Sequence, residues 1–177
     1  MRELGDPGVY EREFASYGEA LAAEVATLTC TAEEAAAWAV ERVRLRPGFH
    51  ELVERSAPLI VSSGLEQLIL PVLAREGVVV ELLANSAEPR PDGWRIRFRD
   101  PGPCPVCGDV CKRAALPDGT AVYVGDGVSD RCAALAAERV FARGELADYL
   151  QEQEVPFEPF DELHDVLRAV DVRRMRR

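Results

Sequence analysis

Residues 123–132, Tyr-Val-Gly-Asp-Gly-Val-Ser-Asp-Arg-Cys (YVGDGVSDRC), decide the reading of the fold. A short apolar strand enters from Ala121 and stops at a glycine-rich turn. Asp126 and Asp130 stand there four residues apart, with a helix beginning behind them. Carboxylates at such a strand-to-helix turn belong to α/β architecture, where chemistry lies beyond the C-terminal ends of the strands. The pair suits a hard cation: Mg²⁺ takes a few carboxylates and keeps waters and substrate oxygens as its other ligands. Gly125 and Gly127 would let the backbone approach a phosphate closely. The bland alternative is a solvated turn in which Asp130 caps the helix.

Working outward, Arg139–Ala142 reads as a further strand, followed by a helix from about Glu145 to Gln153. Asp161 is the expected cap of a last helix that turns Leu163, Val166, Leu167 and Val170 inward. Upstream, Leu59-Ile-Val61 is an apolar run ending in Ser62-Ser63-Gly64. A helical pattern follows through Leu65, Leu68, Ile69, Val72 and Leu73, with Gly77 as its C-terminal stop and Pro71 predicting a kink or a late start. Val78–Leu83 and Trp94–Phe98 read as strands, with Pro91-Asp92-Gly93 as the turn before the second. Before residue 47 the chain is helical, and Thr31-Ala-Glu-Glu34 is a capping box. Strands alternating with helices imply a mostly parallel sheet with helices on both faces. The expected division is a helical cap over 1–46 and an α/β core over 47–177, with a cysteine-rich loop at 104–111.

Composition sets the outer limits. At 177 residues with 47% hydrophobic content, the chain can bury a core. Its formal charge of −10 argues against nucleic acid, which requires a basic face to displace counterions. The closing run Arg173-Arg174-Met175-Arg176-Arg177 reads as a helix end rather than an RNA-binding arm. No run reaches the roughly eighteen apolar residues of a membrane span, and Arg2, Glu3 and Asp6 interrupt any signal-like segment. A cytoplasmic protein with no membrane partner is the expectation; nothing in the sequence indicates an oligomeric state. The cationic residues are twenty arginines and one lysine, Lys112, which singles that lysine out.

An apolar strand ending in serine, then a lone lysine, then GDGVSD: in this order the features resemble the haloacid dehalogenase superfamily, and its phosphoserine-phosphatase-like branch above all. The segment VYVGDGVSDRCAA, the cysteine-rich stretch ending in Lys112 and the tail VFARGELADYLQEQEVPFEPFDEL are similar to the methionine-salvage phosphatases of that branch. The resemblance implies a Rossmann-like parallel sheet with an N-terminal helical cap, and Mg²⁺-dependent hydrolysis of a small-molecule phosphate ester. It implies that Ser62, with Ser63 and Gly64, holds the phosphoryl oxygens, and that Lys112 holds the phosphate by its charge. Asp126 would bind the metal, and Asp130 would orient Lys112 or act as the metal's second acid. A compact ammonium is not replaced by a planar guanidinium in a tight site, which agrees with the single lysine.

The same resemblance calls for an Asp-x-Asp pair on a first strand, supplying an aspartate nucleophile, and no such pair occurs in these residues. That strand would lie between the strands bearing Ser62 and Asp126, leaving a gap in the sheet. The expectation is that the pair lies upstream of Met1 and that this chain alone is inactive as a hydrolase. The alternative is a non-catalytic phosphate-binding or interaction protein.

Cys104-Pro-Val-Cys107-Gly-Asp-Val-Cys111 brings three thiols into eight residues. Its knuckle-like spacing suits Zn²⁺, with Cys132 or an external group as fourth ligand. A redox-labile cluster and simple loop packing are the other readings. Cys30 reads as a packing residue, His50 and His164 as structural histidines, and Tyr10, Tyr17 and Trp38 as cap core.

Overall fold

Thr31 opens its helix as the sequence dictates. In the computed structural model, which describes residues 4–100, 102–120 and 122–170, its hydroxyl accepts the Glu34 amide at 3.1 Å, while the Glu34 carboxylate accepts the Thr31 amide at 2.8 Å. This helix, α2 (Ala32–Arg42), follows α1 (Tyr17–Ala26) and precedes α3 (Phe49–Ser56). Gly48, at φ +88°, stands at the start of α3; Pro47 therefore lies just outside the helix. The strongly basic run at 173–177 lies outside the described residues.

Strand β1 (Leu59–Leu65) leads into α4 (Glu66–Arg75), which starts well before Pro71 and carries that proline inside it. The next strand corrects the sequence reading: β2 spans Glu81–Glu88 rather than beginning at Val78. Gly77 adopts φ +66°, and the amides of Gly77 and Val78 bond back to Ala74 and Leu73 at 3.1 and 2.9 Å. This helix-closing turn uses the amides that a strand would need, and Val79 is left 94% exposed. Pairing begins where Glu81 meets Leu59.

β1 and β2 pair in parallel, and β3 (Arg95–Arg97) returns antiparallel to β2. The second sheet is parallel throughout: β4 (Val122–Gly125), β5 (Arg139–Ala142) and β6 (Glu158–Pro159). The two sheets have the orders β1-β2-β3 and β4-β5-β6. The strands bearing Ser62 and Asp126 are thus both edge strands, with no ladder between them among the described residues.

Short α5 (Arg131–Ala134), then α6 (Gly144–Glu152) and α7 (Leu163–Ala169), complete this mixed α/β fold. The expected cap Asp161 is displaced by one position. Glu162 is the N-cap, and Asp165 reaches back to accept the amides of both Asp161 and Glu162 at 3.0 Å. A carboxylate one turn into the helix serves two free amides, leaving the Asp161 side chain without that task.

Burial follows the two sheets. Leu21, Val25, Leu28 and Ala35 from the N-terminal helices share a core with Leu65, Ala87 and the fully buried Trp94. Trp94 bonds the loop after α1 twice, from its amide to Leu28 at 3.0 Å and from its indole to Cys30 at 2.8 Å. α1 therefore packs directly on the first sheet, and α2 packs on α4. Around the second sheet, Phe141, Phe160, Val166 and Leu167 fill one face, and Tyr123, Ala133, Leu146 and Leu150 fill the other. No helix among the described residues is long and apolar enough to cross a membrane.

Candidate active site

β4 ends at Gly125, and the chain turns through a 3-10 segment, Val128–Asp130, before α5. That turn points the Asp130 side chain back under the strand end, where it is 2% exposed. Its Oδ1 accepts from the Lys112 ammonium at 2.6 Å and the Tyr123 hydroxyl at 2.5 Å. Its Oδ2 accepts from the amides of Asp126 at 3.1 Å and Gly127 at 2.9 Å. Four donors thus surround one carboxylate.

Electrostatics follows from that arrangement. Burial pushes the Asp130 carboxyl up, but the Lys112 charge and the surrounding hydrogen bonds outweigh it and hold the group below its ordinary value. Burial first, and then the Asp130 charge, raise the Tyr123 hydroxyl far above the usual phenol range. Tyr123 therefore stays protonated and donates.

The two aspartates divide the work. Asp130 engages both oxygens within the protein, which leaves it little to offer a cation in this geometry. Asp126 is exposed at the strand end, and among the described residues its carboxylate takes part in no ion pair or hydrogen bond. The donor set fits one hydrated hard cation on Asp126, with Asp130 shaping the loop behind it.

Glycine is required at 125 for a reason other than phosphate approach. A Cβ there would lie 2.8 Å from Cγ of Asp130 and 3.0 Å from Cδ2 of Leu146. At Gly127 the nearest atom would be Asp130 Oδ2, at an ordinary 3.8 Å.

Ser62, Ser63 and Gly64 lie at the C-terminal end of β1. The Ser62 hydroxyl accepts the Gly64 amide at 3.0 Å. No hydrogen bond joins these residues to Lys112 among the described residues; Arg99 bridges the distance instead. Its guanidinium donates to the carbonyl of Ser62 at 3.3 Å, to that of Cys111 at 3.1 Å, and to the Asp100 carboxylate at 2.6 Å. Asn85, 6% exposed, braces the same joint: its amide donates to the Ser63 carbonyl at 2.9 Å, and its oxygen accepts the Arg99 amide at 2.9 Å. The space between these groups is only about 10 Å³, so the junction is packed rather than open. A cavity of about 290 Å³ lies against α1, lined by Val9, Phe14, Tyr17 and Leu21 among others, and holds none of the candidate residues.

The three predicted thiols, Cys104, Cys107 and Cys111, do converge, and Cys132 joins them; all four sulfur atoms lie within 4.8 Å of one another. Backbone amides of Cys107 and Val106 lower the Cys104 thiol to about 6, while burial pushes Cys111 and Cys132 up. Next to the cluster, Asp109 accepts the amides of Tyr17 and Gly18 at 2.6 and 3.0 Å, fastening the loop to the start of α1. His50 and His164 stand apart, beside Glu76 and beside Glu51 and Glu162.

Sequence reasoning missed Tyr123, Arg99, Asn85 and Asp109. Only Tyr123 left a signal: it alternates with Val122 and Val124 on β4, so one polar tip had to face inward.

The family model described as haloacid dehalogenase-like hydrolase matches residues 2–135. A 2-hydroxy-3-keto-5-methylthiopentenyl-1-phosphate phosphatase of Geobacillus kaustophilus is 34% identical, over 72% of this chain and 63% of its own length. A polyol phosphate phosphatase of Saccharomyces cerevisiae is 32% identical over 73% and 64%, respectively. The Brevibacillus brevis enzyme with the same name as the first is 30% identical over 74% and 65%. The chain thus spans a little under two thirds of the length of these relatives.

Proposed function

The chain belongs to the haloacid dehalogenase-like hydrolase family, and from that premise we propose that it carries the phosphate- and cation-holding part of a Mg²⁺-dependent phosphomonoesterase. One observation carries the reading: Lys112 is held 2.6 Å from a buried Asp130, which also accepts the backbone amide of Asp126, whose own carboxylate has no partner among the described residues. Lys112 binds a phosphoryl oxygen by charge, and Asp130 fixes its position. The Ser62 hydroxyl, which accepts from Gly64, keeps its proton for a second oxygen. Asp126 is the carboxylate that would hold Mg²⁺, whose charge neutralises the phosphoryl oxygens when it is bound.

The substrate is a small phosphate ester. We favour the methionine-salvage keto-phosphate for which the bacterial relatives are named over a polyol phosphate or a phosphoserine-like ester. The helices before residue 47 would act as the cap that selects it, because Asp109 ties α1 to the loop leading to Lys112.

These 177 residues hold no Asp-x-Asp pair to supply the family's nucleophile, so the isolated chain should bind phosphate without turning it over. The same observation favours a second reading, a phosphate-binding protein without catalysis. Orthophosphate with Mg²⁺ should raise the thermal midpoint, and Lys112→Met should remove that rise. If neither phosphate nor Mg²⁺ moves the midpoint, the site assignment fails. Turnover of p-nitrophenyl phosphate lost on Asp126→Ala would show that the chain is a competent enzyme as it stands. An intact mass from its own cells above that of these residues favours the phosphatase, and an equal mass favours the binding protein.

A further inference from the structure

The convergence of four thiols has no part in phosphoryl transfer as described. Three come from the loop between β3 and β4, and the fourth, Cys132, comes from α5. Cys104, Cys111 and Cys132 form a buried cluster of their own, with Cys107 at its exposed edge. All are free thiols. The sulfurs of Cys104 and Cys132 are 3.9 Å apart, and the set fits within 4.8 Å. Four sulfurs placed tetrahedrally about 2.3 Å from one ion would be separated by about 3.8 Å.

The backbone is shaped for sulfur anions. The amide of Val106 points to Cys104 Sγ at 3.5 Å, and that of Arg113 to Cys111 Sγ at 3.4 Å. Each donor lies two residues beyond its cysteine, so two separate turns present N–H groups to sulfur. Gly108, at φ +74°, closes the first turn: its amide bonds the Cys104 carbonyl at 2.8 Å, and Asp109 returns a carbonyl to the Cys104 amide at 2.8 Å. Guanidiniums also hold the backbone that carries two of these cysteines. Arg99 donates to the Cys111 carbonyl and Arg113 to the Cys132 carbonyl, and Lys112 follows Cys111 directly.

We infer that Cys104, Cys107, Cys111 and Cys132 form a closed four-thiolate site for a single structural Zn²⁺. An all-sulfur tetrahedral set selects zinc or iron among the common metals, and four protein ligands leave no open position for substrate. On binding, the sulfurs give up their remaining protons to solvent and each donates an electron pair to the ion; no oxidant or reductant takes part. The geometry gives the site a purpose. Cys111 precedes Lys112 directly, and Cys132 lies two residues beyond Asp130, so the ion clips together the two backbone segments from which the 2.6 Å ion pair extends. The site stands whether or not the chain hydrolyses phosphate.

The test is metal analysis of the full chain purified under reducing conditions without chelator or added metal. One zinc per chain is expected. Reconstitution with Co²⁺ should give the thiolate-to-cobalt charge-transfer and tetrahedral d–d bands of a four-sulfur site. Cys107→Ser, at the exposed edge, should lose those bands while its far-ultraviolet circular dichroism stays native. Cys132→Ser should lower zinc content in step. Protein that carries no zinc and takes up no cobalt, or that holds iron instead, overturns the inference. So does a Cys132→Ser protein that keeps a four-sulfur cobalt spectrum.

Discussion

Asp109 accepts the amide of Tyr17 at 2.6 Å across ninety-two positions of sequence. The cysteine-rich loop thereby supplies part of the N-terminal cap of α1. The accounting at that helix end is complete. Asp109 serves Tyr17 and Gly18, the Ser16 hydroxyl serves Glu19 at 3.1 Å, and the Ser16 carbonyl serves Ala20 at 3.2 Å.

Asp109→Ala would strip the acceptor from two amides of the helix and from the Val110 amide, in a half-buried joint, whereas Ser16→Ala strips one at the surface. A lost cap typically costs about 1 kcal/mol, and a donor left unpaired in a buried setting about 1–3 kcal/mol. Asp109→Ala should therefore destabilise the protein clearly more than Ser16→Ala in urea denaturation. Equal midpoints for the two variants would mean that the loop does not fasten the helix.

Gly125 and Gly127 make a second contrast. Alanine at 125 drives a Cβ to 2.8 Å from Asp130, whose carboxylate is pinned by four donors and has nowhere to move. Overpacking of this kind costs about 1–3 kcal/mol. Alanine at 127 meets nothing closer than 3.8 Å on an extended backbone, so its effect should stay within about 0.5 kcal/mol. Denaturant titration of both variants decides the matter; a tolerated Gly125→Ala would contradict the packing described.

Lys112 and Asp130 form a nearly buried pair, so removing either partner strands the other. Asp130→Asn and Lys112→Met should each destabilise strongly, by about 3–5 kcal/mol where the remaining charge is fully uncompensated. The double variant should cost much less than the sum of the two. A double-mutant cycle by chemical denaturation measures the coupling. Simple additivity would show that the two charges act independently. Lys112→Arg should not restore phosphate binding, because the fork of a guanidinium cannot occupy the place of one ammonium.

The parts of this molecule legible in the sequence are those encoded locally. Thr31 and Glu34 are three residues apart, and the strand end at Gly125-Asp126 is contiguous, so pattern alone located both. The cysteines announced themselves by spacing, and Cys132 entered as a candidate only because it completed the count. What stayed hidden are contacts between distant segments made by ordinary residues: Arg99 is one of twenty arginines, and nothing near it in sequence marks it as the link from Ser62 to Cys111. The strand at Val78 was misplaced because three valines fit a β pattern, while the preceding helix consumed their first amide in its closing turn. Local propensity lost there to helix termination.

Asn85 provides the last test, because it uses both ends of one amide to hold the Ser62–Ser63 strand end against Arg99. Asn85→Asp keeps nearly the same shape and still offers an acceptor to the Arg99 amide. It loses the donor to the Ser63 carbonyl and sets an oxygen against an oxygen in a site that is 6% exposed. Burying an unpaired polar group costs about 1–3 kcal/mol, and a charge costs more. The variant should therefore be destabilised by at least about 2 kcal/mol at neutral pH. Lowering the pH toward the carboxyl's titration range should recover part of that loss relative to wild type, because the protonated acid is again a donor. Phosphate-dependent stabilisation should weaken in parallel, since the backbone carrying Ser62 is no longer braced. A variant as stable as wild type that still responds fully to phosphate would detach Asn85 from the site and leave the bond from Arg99 to the Ser62 carbonyl to hold the strand end.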